Sequence, residues 1–402
     1  MKNIDQKDML SEPGTPASND MIPLCVPEIR GNEWKYIKEC LDTNWVSSAG
    51  PFVERFERNL ADYLGTEHAI STINGTAALH IALLIAGVEP DDEVLVSTLT
   101  FISPANAIRY VGAWPVFIDA EPEYWQMDPQ KVVDFLEEEC RWRNGELHNK
   151  TTGRQVKAIL PVHILGHPVD MDPILEIANK YDLTVIEDAT ESLGAKYKGQ
   201  MIGTLGDIGC FSFNGNKIIT TGGGGMIVTD NEKWANKARY LTTQAKDNPL
   251  EYIHKEIGFN YRLTNLQAAM GVAQLEQLDA YIEKKRNIAK RYTKNLIKIS
   301  GIATIQQGKW AECIFWMYTI KIDEEKYGLC SRELLKKFAK EGIQTRPLWQ
   351  PIHKSPAHKS ICDDQCSVSE ELNRDALSLP CSVGLKESVQ EVVINSIVKK
   401  AR

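Results

Sequence analysis

One lysine, Lys217, stands in the apolar stretch FSFNGNKIITTGGGG, which covers residues 211–225 and contains four consecutive glycines. Burial among apolar side chains penalises the ammonium form of a lysine and favours the neutral amine. A neutral amine is a nucleophile that can form a Schiff base with a carbonyl compound. Taken alone, the stretch fits an exposed loop lysine at least as well.

A carboxylate, Asp188, ends the apolar strand predicted in VIEDATESLGA, 29 residues before Lys217. From that position it could pair with a pyridinium nitrogen, keep it protonated and let the ring accept electrons. An aspartate that caps the following helix is a common alternative. Asp188 therefore indicates a cofactor site only when it is considered together with Lys217.

A third group of residues fits an anion site. Gly75 and Thr76 stand at the start of the helix predicted in TAALHIALLIAG, where free N–H groups and the helix dipole favour a phosphate. Ser212, five residues before the lysine, offers a hydroxyl for the same anion. An ordinary Thr-capped helix is the alternative. The stretch matches neither the dinucleotide pattern GxGxxG nor the Walker pattern GxxxxGK[ST].

An aromatic residue, Phe101, ends the stretch STLTF and could stack on a flat heteroaromatic ring, although a core phenylalanine is the simpler interpretation. The glycines 222–225 let the backbone turn sharply and approach a ligand closely. A pyridoxal phosphate enzyme needs four groups: a phosphate-binding site, a ring that stacks on the cofactor, a carboxylate for the pyridinium nitrogen, and a lysine. Their joint occurrence by chance is far less expected than any one of them.

The elements that must position these residues alternate between strands and helices from about residue 66 to 230. This alternation, with continuous apolar strands, predicts an α/β fold with a mostly parallel central sheet and helices on both faces. Ligands of such sheets bind beyond the carboxyl ends of the strands, where the candidate residues fall. The segment RNGELHNKTTGRQ is predicted to be a polar connector. The predicted strands are EVLVSTLTF, PVFIDA, KAILPVHILG, LTVIED, DIGCFSF and GGMIVTD.

The remaining sequence predicts a smaller C-terminal α+β domain with the strand FWMYTIKID and the helix SRELLKKFAKEG. We expect residues 1–20 to be a disordered lead-in, 21–265 the large domain, and 266–402 a linking helix and the small domain. The linking helix is predicted from apolar residues that share one face: Leu275, Leu278, Ile282, Ile288 and Tyr292.

Composition excludes several classes of function. The chain has 402 residues and a net charge of −8, which argues against a broad nucleic-acid or anionic-membrane surface. It begins without the apolar core of a signal peptide and has no apolar run near the ~20 residues of a membrane helix. Nine scattered cysteines indicate reduced thiols and a cytoplasmic protein. A zinc site of His353, His358, Cys362 and Cys366 is disfavoured by its spacing, so no metal is expected.

Many ordered segments resemble the DegT/DnrJ family of sugar aminotransferases, which have the aspartate aminotransferase fold, fold type I of the pyridoxal phosphate enzymes. The resemblance covers nearly the whole chain and is therefore specific. The matching segments are NWVSSAGPFVERFE, NGTAALH, the TF before PANAI, PVFID, PVHILG, VIEDATESLGA, SFNGNK, GGGGMIVT, GFNYRLTNLQAA, RPLWQPIH and LSLP.

The resemblance implies that Lys217 holds pyridoxal 5′-phosphate through its amine and that Asp188 pairs with the pyridine nitrogen. It implies that Phe101 lies over the ring. Other residues are implied to bind the phosphate: Thr76 and Ser212 through their hydroxyls, the backbone near Gly75 and Ala77, and Asn260 of GFNYR from a neighbouring subunit. The expected assembly is thus a homodimer with shared active sites.

Two positions depart from the family pattern. Glu191 stands where the family often has Gln or His, which would alter contacts at the cofactor's phenolic oxygen. Gly223 stands where the family often has Glu, which would leave more room near the sugar. Inferred substrate contacts are less secure for that reason.

The implied reaction moves an amino group from glutamate to a ketone on a nucleotide-linked sugar. NWVSSAGPFVERFE with SFNGNKIITTGGGG looks most like the branch that acts on UDP-4-keto-6-deoxy-N-acetylglucosamine for bacillosamine or legionaminic acid synthesis. Arg346 and His353 of RPLWQPIH are expected either to reach this substrate or to be structural. The alternatives are a dehydratase of the same fold, which has His in place of the lysine, and a non-catalytic regulatory or binding protein.

Overall fold

The computed structural model describes residues 21–248, 250–358 and 366–401. The predicted lead-in 1–20 and Cys362 lie outside the described residues. The helices are α1 Glu33–Asp42, α2 Pro51–Leu64, α3 Gly75–Ile85, α4 Ser103–Tyr110, α5 Pro129–Asp134, α6 Met171–Lys180, α7 Glu232–Thr242, α8 Asn265–Leu275, α9 Leu278–Leu296, α10 Glu324–Tyr327, α11 Ser331–Lys340, α12 Ser367–Asp375 and α13 Glu387–Val398. The strands are β1 His68–Thr72, β2 Glu93–Ser97, β3 Trp114–Ile118, β4 Cys140–Arg143, β5 Glu146–Asn149, β6 Val156–Leu160, β7 Thr184–Asp188, β8 Lys196–Tyr197, β9 Gln200–Met201, β10 Ile208–Ser212, β11 Gly225–Thr229, β12 Lys246–Asn248, β13 Ile253–His254, β14 Ile302–Thr304, β15 Ala311–Glu312, β16 Tyr318–Ile322, β17 Arg346–Pro347 and β18 Ala376–Leu379.

The central sheet has seven strands in the order β1-β11-β10-β7-β6-β2-β3. Strands β10, β7, β6, β2 and β3 run parallel, and β11 is antiparallel to both of its neighbours. The inner strands of the central sheet are apolar and buried, as expected for a sheet covered on both faces. Helices α3, α4, α6 and α7 pack against it. The predicted α/β class with a mostly parallel sheet is confirmed.

A second, antiparallel sheet has the order β14-β16-β18-β17 and lies in the C-terminal part of the chain. It is tied to the central sheet through Asp119, which follows β3. The buried Asp119 carboxylate accepts the backbone N–H groups of Val368 (3.1 Å) and Ser369 (2.9 Å) at the start of α12. Free N–H groups at a helix start favour a carboxylate, so this contact fixes α12 against the large sheet.

The segment RNGELHNKTTGRQ was wrongly predicted as a plain connector, because β4 and β5 form an antiparallel hairpin there. Its turn is Asn144-Gly145, with φ of 56° and 86°. Asn-Gly favours the turn that joins two paired strands, so the sequence did contain the signal.

The single linking helix predicted to carry Leu275 to Tyr292 is also wrong in detail, because two helices carry these residues. Helix α8 ends at Leu275 and α9 begins at Leu278. The apolar face predicted for α9 is buried, as expected from its spacing. In the described part of the chain, the helices are all too short or too polar to cross a bilayer.

Candidate active site

A cavity of about 420 Å³ lies beyond the carboxyl ends of β7 and β10, beside the start of α3. Parallel strands bring their carboxyl ends to one edge, which explains why residues distant in sequence meet here. The predicted residues that line the cavity are Gly75, Thr76, Phe101, Asp188, Glu191, Ser212, Lys217 and Gly223. Residues that were not predicted also line it: Asn74, Ser103, Thr190, Asn214, Asn216, Trp316 and Trp349.

Lys217 lies in the turn that follows β10, where its backbone N–H donates to the carbonyl of Asn214 at 3.0 Å. Its side chain is 13% exposed, and its Nζ lies 3.7 Å from Oε1 of Glu191. The Nζ also lies 4.3 Å from the centroid of the Trp316 ring. The amine therefore reaches the cavity while most of the side chain is shielded from water.

Asp188 is buried at the end of β7, where Oδ1 accepts the backbone N–H of Thr190 at 3.1 Å. Burial raises the pKa of its carboxyl, against the hydrogen bonds from Thr190 and the positive charges of Lys217 and His163. No described cation lies within ion-pair distance of it. A buried carboxylate without such a partner suits a ligand that brings its own positive charge, as a pyridinium nitrogen does.

The start of α3 forms the anion corner of the cavity. Asn74 caps the helix, and its Oδ1 accepts the backbone N–H of Ala77 at 2.8 Å. The N–H of Ala77 is therefore already bonded to the capping side chain. A contact between the backbone near Ala77 and the phosphate stays a prediction from the sequence. The hydroxyl of Thr76 donates to Ser103 Oγ at 3.1 Å. Three hydroxyls, those of Thr76, Ser103 and Ser212, therefore line this part of the cavity.

Helix α3 and strand β10 lie close together at Gly75. A Cβ built on Gly75 would lie 2.9 Å from Cβ of Ser212 and 3.3 Å from Cγ2 of Thr190. Only glycine lets the helix start and the strand end stand this close without a shift. The helix N–H groups and the Ser212 hydroxyl can then reach one anion.

We predict that Gly75→Ala weakens cofactor binding about 5- to 150-fold, because relieving such an overpacked contact typically costs about 1–3 kcal/mol. Cofactor titration of the apoenzyme, followed by intrinsic fluorescence, measures this. Gly215→Ala is the matched control, since its Cβ would meet nothing within 4 Å. Equal affinities for the Gly75 variant and the wild type would contradict the assignment of the anion corner.

Phe101 and Gly223 form other parts of the cavity wall. Phe101, which follows β2, is 55% exposed and so is a wall residue rather than a core residue. A Cβ built on Gly223 would meet Gln267 at 3.6 Å and the Ile73 carbonyl at 3.7 Å, which are ordinary contacts. The backbone therefore does not require glycine at 223, and the position leaves space in the cavity.

Glu191 is buried, and its Oε2 accepts the backbone N–H of Leu165 at 2.9 Å. Burial raises the pKa of Glu191 from 4.5 to about 7, and the negative charge of Asp188 acts in the same direction. The positive charge of Lys217 and the Leu165 hydrogen bond oppose this rise. Glu191 is thus a carboxyl that changes charge near neutral pH within reach of the lysine.

We predict that Glu191→Gln makes the apoenzyme more stable than the wild type above pH 7 but not below pH 4.5. The raised pKa means that the folded wild type binds more protons than the unfolded chain between pH 4.5 and about 7, so its stability falls as pH rises through this window. The difference should reach at most about 3 kcal/mol, since one pKa unit equals about 1.4 kcal/mol.

Thermal unfolding of both proteins across this pH range measures the difference. Glu283→Gln, which changes an exposed glutamate on α9, is the control. A stability difference that stays constant from pH 4 to pH 9 would contradict a raised pKa at Glu191.

Besides Ala77, three predicted residues lie outside the cavity wall. Arg346 lines a separate cavity of about 500 Å³ beside α11. His353 is buried, with Nδ1 at 2.7 Å from Thr98 Oγ1 and Nε2 at 3.3 Å from Glu370 Oε1. These positions favour the structural interpretation of both. Asn260 is exposed, its backbone pairs with that of Thr243, and within one chain it is not among the residues that line the cavity.

The segment RPLWQPIH reaches the cavity through Trp349 instead. Its backbone is held because Asn373 Nδ2 donates to the carbonyls of Leu348 (2.7 Å) and Trp349 (2.9 Å). The sequence analysis named Arg346 and His353 in this segment and did not name the tryptophan. An aromatic residue amid prolines was the available signal.

These residues fit pyridoxal phosphate. The cavity offers an amine for its aldehyde, a buried carboxylate for its ring nitrogen, and a helix start with hydroxyls for its phosphate. The fold and the cavity together define a pyridoxal phosphate-dependent enzyme of the aspartate aminotransferase type.

Comparisons with known proteins agree with this class of enzyme. Residues 27–398 match the DegT/DnrJ/EryC1/StrS aminotransferase family. GDP-perosamine synthase of Caulobacter vibrioides is 40% identical over 94% of this chain and 97% of its own length. A Bacillus subtilis protein described as a pyridoxal phosphate-dependent aminotransferase is 40% identical over 94% of this chain and 95% of its own. A DegT DnrJ EryC1 StrS aminotransferase from Brucella abortus superposes with a TM-score of 0.83, at 29% identity, over 92% of this chain and 95% of that chain.

The chain belongs to the DegT/DnrJ/EryC1/StrS aminotransferase family. It is a pyridoxal phosphate-dependent nucleotide-sugar aminotransferase, and pyridoxal 5′-phosphate is its cofactor. The family resemblance predicted from the sequence is thus confirmed.

Proposed function

We propose that the enzyme transfers the amino group of glutamate to C4 of a nucleotide-linked 4-keto-6-deoxy sugar. The observation that carries this proposal is the meeting of Lys217, Asp188 and the anion corner in one cavity. In balance, glutamate and the keto sugar give 2-oxoglutarate and the amino sugar. The lysine argues against the same-fold dehydratase, and the complete site argues against a non-catalytic binding protein.

Pyridoxal phosphate supplies an electron-poor ring that accepts the electron pair of the C–H bond that breaks. The Asp188 carboxylate favours a proton on the ring nitrogen and so maintains that electron demand. The hydroxyls of Thr76 and Ser212, with the N–H groups at the start of α3, hold the phosphate. Lys217 would first anchor the cofactor and, once released, would move the proton between the substrate carbon and the cofactor carbon.

Two nucleotide sugars are candidates for the acceptor. The sequence resemblance favours UDP-4-keto-6-deoxy-N-acetylglucosamine, which would place the enzyme in synthesis of bacillosamine- or legionaminic acid-type surface glycans. The relatives named GDP-perosamine synthase favour a GDP-linked sugar. Perosamine is a 4-amino-4,6-dideoxy sugar, so the corresponding acceptor is GDP-4-keto-6-deoxymannose. Both have the same reacting centre.

The experiment offers ¹⁵N-glutamate with each keto sugar separately and measures product mass and amine position by mass spectrometry and NMR. The proposal expects ¹⁵N at C4 of one nucleotide sugar, with formation of 2-oxoglutarate. Loss of water without ¹⁵N would identify a dehydratase instead. Transfer to neither sugar would overturn the C4 acceptor, and the favoured nucleotide is the one with the higher kcat/KM.

We also propose a homodimer in the cytoplasm in which Asn260 contacts the phosphate of the neighbouring subunit. Asn260 is exposed beside the β12–β13 hairpin. Near it, large apolar side chains are exposed: Leu250 by 89%, Tyr252 by 72% and Ile257 by 86%. Such a cluster is typical of a surface that another chain covers. Sedimentation of the holoenzyme as a monomer would contradict the shared site.

A further inference from the structure

Trp316 contacts the lysine segment twice from the C-terminal part of the chain. Its indole N–H donates to the backbone carbonyl of Asn216, the residue before the lysine, at 2.7 Å. Its ring centroid lies 4.3 Å from Nζ of Lys217. The side chain is 4% exposed, so both contacts are shielded from bulk water. One residue thus fixes both the backbone that carries the lysine and the position of the amine.

Glu191 contacts the same amine. Its Oε1 lies 3.7 Å from Nζ of Lys217, while Oε2 is held by the backbone N–H of Leu165. An indole face attracts a cation, and tryptophan does so best among the aromatic side chains. A carboxylate attracts it as well. Both neighbours of the amine therefore attract an ammonium group at Nζ.

We propose that Trp316 and Glu191 together bind the Lys217 amine and hold it in one position whenever it is not bonded to the cofactor. Trp316 is then a positioning residue for proton transfer. This inference rests on the proposed function. With the cofactor bound, Lys217 would take a proton from the substrate carbon and become an ammonium, and the cofactor would supply the electron-poor ring that accepts the bonding pair. It would then give the same proton to the cofactor carbon and become a neutral amine again.

The position of the ammonium between these two steps sets how readily the proton reaches the second carbon. A positioned group that shifts by a fraction of a hydrogen-bond length loses much of its rate advantage. Removal of the ring should therefore slow proton transfer. The proposal expects substrate affinity to stay nearly unchanged, because it assigns the contacts of the ring to Lys217 and the backbone before it.

Two substitutions separate the two contacts of Trp316. Trp316→Phe keeps an aromatic face for the amine but removes the N–H that holds the Asn216 carbonyl. Trp316→Leu removes both. Trp349→Leu is the matched control, because Trp349 lines the same cavity, and its loss opens the cavity without touching either contact of Trp316.

The first measurement uses the apoenzyme, so it does not depend on amino transfer. Trinitrobenzenesulfonate labels neutral amines, and peptide mass spectrometry gives its rate at Lys217 alone. We expect labelling at pH 7 to be about tenfold faster in Trp316→Leu, the size of one shielded cation–π contact, and closer to wild type in Trp316→Phe. Glu191→Gln should also label faster, and Trp349→Leu should match the wild type. Equal rates in Trp316→Leu and the wild type, or an equal increase in Trp349→Leu, would overturn the proposal.

The second measurement follows the glutamate half-reaction of the holoenzyme in single turnovers. Trp316→Leu should slow it about 10- to 100-fold, with KM for glutamate nearly unchanged. This is less than the full contribution of about 10²–10⁴-fold from a positioned acid–base group, because the lysine itself remains. A rate loss that appears only as a raised KM would assign Trp316 to substrate binding and overturn the proposal. A wild-type enzyme that does not react with glutamate would instead contradict the proposed function, whatever the labelling shows.

Discussion

Lys217→Ala is expected to abolish amino transfer, with kcat at least about 10³-fold below wild type. The substitution removes the covalent anchor of the cofactor and the group that moves the proton, and positioned acid–base catalysis alone contributes about 10²–10⁴-fold. Cofactor binding should survive in weakened form, since the anion corner and Asp188 are untouched. The variant should therefore bind pyridoxal phosphate reversibly and lose it on dialysis.

Steady-state 2-oxoglutarate production and cofactor retention after dialysis measure this effect. Lys233→Ala, which changes an exposed lysine in the first turn of α7, is the control and should behave as wild type. A Lys217→Ala enzyme with more than a tenth of wild-type kcat would remove the lysine from the mechanism.

Asp188→Asn is expected to lower kcat about 10²–10³-fold, the typical cost of removing one preorganised electrostatic contact from an active site. Asparagine has nearly the same shape, and its Oδ1 can still accept the Thr190 N–H that Asp188 accepts at 3.1 Å. The fold should therefore be kept. What is lost is the negative charge that favours a protonated ring nitrogen.

Single-turnover reaction with glutamate measures this loss, with cofactor content determined in parallel. Asp207→Asn is a matched control, since Asp207 accepts the Val185 backbone N–H at 2.8 Å but precedes β10, at the opposite edge of the sheet. If Asp188→Asn and Asp207→Asn reacted at equal rates, Asp188 would be a structural cap and not a partner of the ring.

The residues that local pattern could predict are those whose chemistry depends on the element that carries them. Asp188 ends a strand, Thr76 opens a helix and Lys217 follows a strand, and the topology of a parallel sheet brings these positions to one edge. The sequence pattern therefore predicted this half of the cavity. The resemblance to a family then supplied the role of each residue.

The other half could not be predicted from local pattern. Trp316 and Trp349 come from the C-terminal part of the chain, and their approach to Lys217 depends on how that part packs against the central sheet. Contacts such as those of Asp119 with the start of α12 fix this packing, and no periodicity encodes them. The segment RPLWQPIH was therefore predicted to approach the substrate, but Trp349, the side chain of this segment that lines the cavity, was not named.

The measurement that tests the central claim most directly is the visible absorption spectrum of the purified holoenzyme. It is recorded alone, after glutamate, and then after each 4-keto nucleotide sugar. The account predicts a cofactor band that bleaches with glutamate, returns with one keto sugar, and is altered or absent in Lys217→Ala. A protein that shows no band even after pyridoxal phosphate is added, or a band that glutamate leaves unchanged, would contradict the account.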